Sequence, residues 1–146
     1  MEEAWTYLTK AVERLTSAQI DVAAARDNAC ANRAYEACFQ AAMAALLAAG
    51  IRPASPRGKW RHACVQSPLN GLLIIRRKRY PAALRRVLRD TMAVRENADS
   101  TPASGSARVA SRVLQAAQDF VRHCQLVACQ HEHLTGKCAT ASVGHP

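Results

Sequence analysis

Aromatic side chains are scarce in this sequence, at 5% of 146 residues, and glycine and proline number only six each. Sandwiches and barrels of short strands depend on aromatic and β-branched packing and on frequent turn residues, so this composition speaks against an all-β fold. Acids are sparse too, with 11 Asp and Glu against 20 Lys and Arg. There is no Gly-rich phosphate loop, no Ser-His-Asp order and no carboxylate pair, and ordinary hydrolase and kinase chemistries therefore have no support. The longest uncharged run near a hydrophobic peak, Ala37 to Ile51, is too short and too alanine-rich to span a bilayer. No basic start followed by a leucine-rich stretch marks a signal peptide. These absences predict a soluble, cytoplasmic protein with no membrane association.

Alanine is abundant instead, at 30 residues. It is the strongest helix former, and a chain of this length buries one core. The expectation is a single all-α domain over 1–130 followed by a flexible C-terminal tail, 131–146, of small and polar residues. Six cysteines would suggest a disulfide framework in a small secreted domain, but with no export signal reduced thiols are expected.

The net charge is +9, and it is unevenly placed. Residues 1–51 carry four cations and six acids, residues 52–95 carry twelve cations and only Asp90, and residues 96–146 carry four of each. The whole excess thus belongs to the middle of the chain. Such a segment is either a solvated face or a surface for an anionic partner such as RNA, DNA, nucleotide or an acidic protein.

Hydrophobic periodicity divides the chain into helices. From about Glu3 to Ala25, Trp5, Leu8, Val12, Leu15 and Val22 recur at three- and four-residue steps. Asp27 or Asn28 is placed to cap a second helix, whose stripe of Tyr35, Cys38, Phe39, Ala42, Met43 and Leu46 runs to a stop at Gly50. Ile51 to Ala63, with Pro53, Pro56 and Gly58, reads as a loop. Ser67-Pro68 reads as an N-cap opening a short helix through Leu72, Leu73, Ile74 and Ile75, with Arg76, Arg77, Lys78 and Arg79 at its C-terminal end. Helix restarts at Pro81, with Leu84, Val87, Leu88, Thr91, Met92 and Val94 on one side and Arg85, Arg86 and Arg89 on the other. Ala98 to Ala107 reads as a loop. A last helix over about Ala107 to Gln130 turns Val109, Val113, Ala116, Ala117, Phe120, Cys124 and Val127 inward. Four long helices and one short one predict an up-and-down bundle of four to five helices.

Three sets of residues stand out chemically. At 100° per residue Arg95 falls about 20° from Leu84 and Asp99 about 60° from it, inside the apolar arc. A guanidinium there needs a partner, and Asp99 is one turn on. The alternative is that the helix ends near Arg95 and both residues are solvated. Arg57 and His62 have an Arg-x4-His spacing. RNA transesterification needs a base for the 2′-hydroxyl and a cation for the phosphorane, which His62 with Arg57 or Arg95 can supply if brought together. The more ordinary role of His62 is to cap the short helix or hydrogen-bond in an interface. Finally, Cys124, Cys129, His131, His133 and Cys138 are soft and imidazole donors of the kind zinc prefers, but their spacing matches no common knuckle. Cys124 already has a place on a buried stripe, so Cys129, His131, His133 and Cys138 are only weak metal candidates. Cys30, Cys38 and Cys64 read as small core residues. No cofactor is implied.

The run Arg33-Ala34-Tyr35-Glu36-Ala37-Cys38-Phe39-Gln40-Ala41-Ala42, followed by Ala45-Leu46-Leu47 and Gly50, resembles the second-helix signature of bacterial HEPN domains, with Glu36 where a second tyrosine is usual. His62 resembles the histidine that often precedes the next helix. Arg95-Glu96-Asn97-Ala98-Asp99 is similar to the family's Arg-x-x-Ala-Asp-Tyr, with Ser100 in place of tyrosine, and Ala117-x-x-Phe120-Val121 resembles the closing helix. The resemblance covers about residues 5 to 128. It implies a HEPN-like bundle, usually a two-fold homodimer, in proteins tied to RNA cleavage, nucleotide binding, toxin-antitoxin pairs with a nucleotidyltransferase, and defence. Ribonuclease members carry Arg, four to six residues, then His. After Arg95 that window offers Ser100, Thr101 and Pro102.

The leading expectation is a HEPN-like homodimer binding RNA or nucleotide without an intact ribonuclease motif. In it Arg95 is held by Asp99, and phosphates are met by Arg76, Arg77, Lys78, Arg79, Arg85, Arg86 and Arg89. The competing expectations are a divergent, metal-independent endoribonuclease using His62 with Arg57 or Arg95, and a protein-binding partner of a nucleotidyltransferase.

Overall fold

The computed structural model describes residues 2–53, 59–100 and 106–135, with the side chains of residues 99, 100, 131 and 133–135 left out. The described residues are helical and contain no strand. Among the described residues are five α-helices: α1 (Glu2–Ala23), α2 (Asp27–Ala48), α3 (His62–Pro68), α4 (Val87–Ser100) and α5 (Ala107–Thr135). A π-helix, Leu69–Arg76, continues α3, and a 3-10 turn, Ala82–Arg86, leads into α4. No helix among the described residues is long and apolar enough to cross a membrane.

In α1 the buried residues are Ala4, Leu8, Ala11, Ala18 and Asp21, and Leu15 joins them half-buried. This is the three-four spacing of a narrow packing seam, centred one residue away from Val12. Val12, expected inside, is therefore 39% exposed. At the other end of α1 the Arg26 amide donates to the Asp21 carbonyl at 2.8 Å and the Ala25 amide to the Val22 carbonyl at 3.2 Å. That pair of bonds is a Schellman closure, and it places Ala25 at φ +57°, a left-handed conformation that usually falls to glycine.

Neither Asp27 nor Asn28 caps α2. Arg26 occupies the cap position with no side-chain bond, and Asp27 lies in the first turn, where its charge suits the helix dipole. Over α2 burial extends well beyond one stripe, and Ala41 through Leu46 are all buried. The helix is the axis of the bundle and touches α1, α3, α4 and α5. Alanine at most of these positions lets its neighbours come close. A second Schellman closure ends α2: the Ile51 amide bonds to the Leu46 carbonyl at 2.8 Å and the Gly50 amide to the Leu47 carbonyl at 3.0 Å, with Gly50 at φ +78°.

Pairs of contacts give the helix directions. Trp5 near the start of α1 donates its indole N–H to Glu132 near the end of α5. The Cys30 thiol, early in α2, faces the Ala110 carbonyl, early in α5, at 3.8 Å. Arg95, late in α4, bonds to Asn32, early in α2. Helices α1 and α4 thus run opposite to α2 and α5, which is an up-and-down bundle. Its core holds Phe120, Leu46, Leu69, Leu73, Leu88 and Val65, all essentially inaccessible, and a small separate cluster of Ala18, Cys30, Ala110 and Leu114 closes one end.

Three boundaries differ from the periodicity. Ser67-Pro68 does not open a helix: α3 starts at His62, with Arg61 as its cap residue, and Pro68 lies at its end. Proline has no N–H for the carbonyl four residues back and its ring crowds that carbonyl, so the ladder widens and the chain continues as a π-helix. Helix α4 persists to Ser100, past the loop expected from Ala98. Helix α5 starts where expected, with Ser106 Oγ accepting from the Val109 amide at 3.1 Å as an N-cap, and it runs on past Gln130 to Thr135. Val109, in that first turn, is exposed rather than inward. Residues 136–146 of the expected tail lie outside the described residues.

Candidate nucleic-acid interface

The π-helix and the 3-10 turn meet beside the start of α4, and their junction builds the basic face. Leu69, Leu73 and Ile74 anchor the π-helix in the core, and Tyr80, Leu84 and Leu88 anchor the return segment. With those faces held inward, Arg85, Arg86 and Arg89 are left pointing outward. They line a groove of about 410 Å³ together with Gln66, Asn70, Ala82 and Ala83. The only acid close to them among the described salt bridges is Asp90, whose carboxylate is 3.8 Å from the Arg89 guanidinium with both side chains exposed. A pair so long and so wet contributes little, so the groove stays cationic.

Arg76, Arg77, Lys78 and Arg79 lie exposed at the end of the π-helix. Arg77 is committed locally: its guanidinium donates to the Ala49 carbonyl at 3.3 Å, satisfying the C-terminal end of α2. Lys78 sits at φ +50° and lines a second, more apolar recess of about 300 Å³ with Ile74, Ile75 and Tyr80, adjoining the groove through Ala82 and Arg85.

Arg95 and His62 are brought together, through a residue the sequence reading placed only in the core. The Arg95 guanidinium lies 5.0 Å from the centre of the Tyr35 ring, and its Nε donates to the Asn32 side-chain oxygen at 3.1 Å. The Tyr35 hydroxyl is 3.2 Å from His62 Nδ1, and the two rings are 6.1 Å apart. Burial pushes the Tyr35 phenol above its ordinary value, and the nearby Arg95 cation offsets part of that rise. The phenol is thus a neutral link at physiological pH. Arg95 faces α2, as its helical angle indicated, and Asn32 and Tyr35 are described partners for it. The expected partner Asp99 has its side chain outside the described residues, as has Arg57 altogether.

No group of three metal-ligating side chains occurs among the described residues. Cys124 is buried and Cys129 exposed, while the side chains of His131 and His133, and Cys138 as a whole, lie outside the described residues. Cys30 and Cys38 are buried free thiols and Cys64 is half-buried.

No protein-family model matches this chain, and no curated protein matches it either.

Sequence reasoning missed Tyr35 as a site residue because an aromatic on an apolar stripe is ordinary core. It also missed Gln66 and Asn70, which carry no charge. Their four-residue spacing beside the cationic run is the signal that could have found them.

Proposed function

We propose that this chain is a HEPN-like helical protein, dimeric as that resemblance implies, which binds RNA or nucleotide phosphates through the face carried by residues 76–89. The observation that supports this is the groove in which Arg85, Arg86 and Arg89 converge, with Asp90 the only acid that pairs with them among the described salt bridges. Guanidinium forks match phosphate oxygens, and phosphate contacts of this kind position a strand without reading its bases. Binding then falls steeply with salt as counterions are released.

Anisotropy of a labelled oligoribonucleotide across a salt series tests this. Each contacting arginine changed to alanine is expected to lower the logarithmic salt slope by about 0.7, the value for single strands. Affinity that is flat with salt overturns the proposal. Recovery of a nucleotidyltransferase free of nucleic acid on the same face replaces it with the protein-binding reading.

The Tyr35 link favours a second reading, a divergent metal-independent ribonuclease. In it Tyr35 holds His62 through Nδ1, leaving Nε2 to take the proton of a 2′-hydroxyl, while Arg95 stabilises the phosphorane. Cleavage of RNA in chelator that disappears in both His62→Ala and Arg95→Ala supports it. Cleavage surviving both overturns it.

A further inference from the structure

The recess beside the arginine groove differs from it in character. It measures about 300 Å³ and is lined by Ile74, Ile75, Lys78, Tyr80, Ala82 and Arg85. The end of the π-helix shapes it: the Arg79 amide donates to the Leu73 carbonyl at 2.9 Å, and Lys78, at φ +50°, turns the chain back towards the core. Ile74 and Tyr80, on either side of that turn, are buried and form an apolar floor, whereas Ile75 is 52% exposed and forms a wall open to a ligand. The Tyr80 hydroxyl hydrogen-bonds with Cys124 in the core, which leaves Lys78 and Arg85 as the polar side chains of the lining with donors to spare.

A lone exposed isoleucine is ordinary on a protein surface. This one shares a recess with two cations, and through Ala82 and Arg85 the recess adjoins the groove. An occupant of both is apolar at one end and anionic at the other, with the two ends close enough to meet the same arginine. A nucleotide has that form: its base offers apolar faces on which aliphatic side chains and a guanidinium plane can lie, and its phosphate is one sugar away. An alkyl chain also fills apolar space, but it gains nothing from a cation at its flank, whereas a π-face does. A volume at the lower end of the range for small-molecule pockets suits one base rather than a stack of several.

Resting on the phosphate-binding reading above, we infer that the recess receives one unpaired base of the RNA or nucleotide whose phosphates lie on Arg85, Arg86 and Arg89. Backbone charge is common to every polyanion, so the arginines alone cannot tell a nucleic acid from another. The base in the recess supplies that distinction, and because it must leave any duplex stack to enter, the face takes single strands.

The test compares a short single-stranded oligoribonucleotide with a strand of the same length and charge built from abasic spacers, at one salt concentration. The wild-type chain is expected to bind the base-bearing strand about tenfold more tightly, the effect of stacking one base. Ile75→Ser, at an exposed position, is expected to bring the base-bearing strand close to the abasic one and to leave abasic affinity unchanged. A strand carrying 4-thiouridine is expected to photocrosslink to residues 74–85. Equal wild-type affinity for the two strands overturns the inference and leaves the phosphate-binding proposal standing. So do a preference that persists in Ile75→Ser and crosslinks confined to other segments. An Ile75→Ser variant that weakens both strands equally shows that the isoleucine only shapes the arginine face, which also overturns it. Tighter binding of dodecyl phosphate than of the base-bearing strand, lost in Ile75→Ser, assigns the recess to an alkyl chain instead. Absence of salt-dependent binding to either strand removes the phosphate-binding proposal and this inference together.

Discussion

The Tyr35 hydroxyl and His62 Nδ1, 3.2 Å apart, tie the central helix of the bundle to the first residue of α3 across 27 positions of sequence. Because α3 runs directly into the π-helix that carries one wall of the arginine groove, this bond links the bundle axis to the basic face. Removing the hydroxyl in Tyr35→Phe is expected to cost about 1 kcal/mol of stability and to speed amide exchange at the start of α3. Urea unfolding and hydrogen exchange measure the two effects; an unchanged midpoint with unchanged exchange would show the bond to be idle.

The two Schellman closures make opposite predictions from the same geometry. Ala25 carries a methyl group at φ +57°, whereas Gly50 at φ +78° has open space around the position of a Cβ. Ala25→Gly is expected to stabilise the fold and Gly50→Ala to destabilise it, each by about 1 kcal/mol, since only the backbone preference changes. Thermal melts of the pair check the sign. Shifts in the same direction would sink the argument.

Crowding at α2 is the next expectation. Ala41 has no accessible surface at all. Ala41→Leu should cost about 1–3 kcal/mol by overpacking, and Phe120→Ala about 3–5 kcal/mol by leaving a cavity. Chemical denaturation provides both values.

Alkaline pH should weaken the fold through the buried thiols. Burial pushes the Cys38 thiol up to about 12 and the Cys30 thiol up to about 11, the latter helped by Asp21 and Asp27. Burial also moves Cys124 upward. An unfolded thiol ionises from its ordinary value of 9.0, so above that pH the unfolded chain holds fewer protons than the folded one and stability falls with rising pH. The contribution is whole below 9.0 and is lost towards the folded values of about 11 and about 12. The Cys38→Ala variant should show a shallower decline in urea midpoint over that window. Under native conditions the exposed Cys129 should alkylate well ahead of Cys30, Cys38 and Cys124.

Arg77 and Arg86 separate structural from ligand-facing cations. Arg77 bonds to the Ala49 carbonyl, while Arg86 lines the groove. Arg77→Ala should lower stability by about 0.3–1 kcal/mol with little change in RNA affinity, and Arg86→Ala the reverse. A melt and a binding isotherm for each variant decide it.

Local chemistry alone identified much of this protein. The amphipathic period of α1, the glycine that ends α2, the start of α5 at Ala107 and the outward side of Arg85, Arg86 and Arg89 were all legible, because each depends on neighbours a few residues away. The placement of Arg95 towards the bundle followed from a helical angle for the same reason. Other features depended on which elements meet. Burial well beyond one stripe of α2 could not be read from its pattern, since alanine suits a core and a surface alike. The π-helix arose where Pro68 interrupted a helix that packing against α2 and the return segment still held together. Tyr35 became the link between Arg95 and His62, and Gln66 and Asn70 became groove residues, only once α3, α4 and α2 converged. Charge and periodicity are carried by the chain itself, whereas the pairing of buried polar groups is a property of the space between helices, which exists only after they pack.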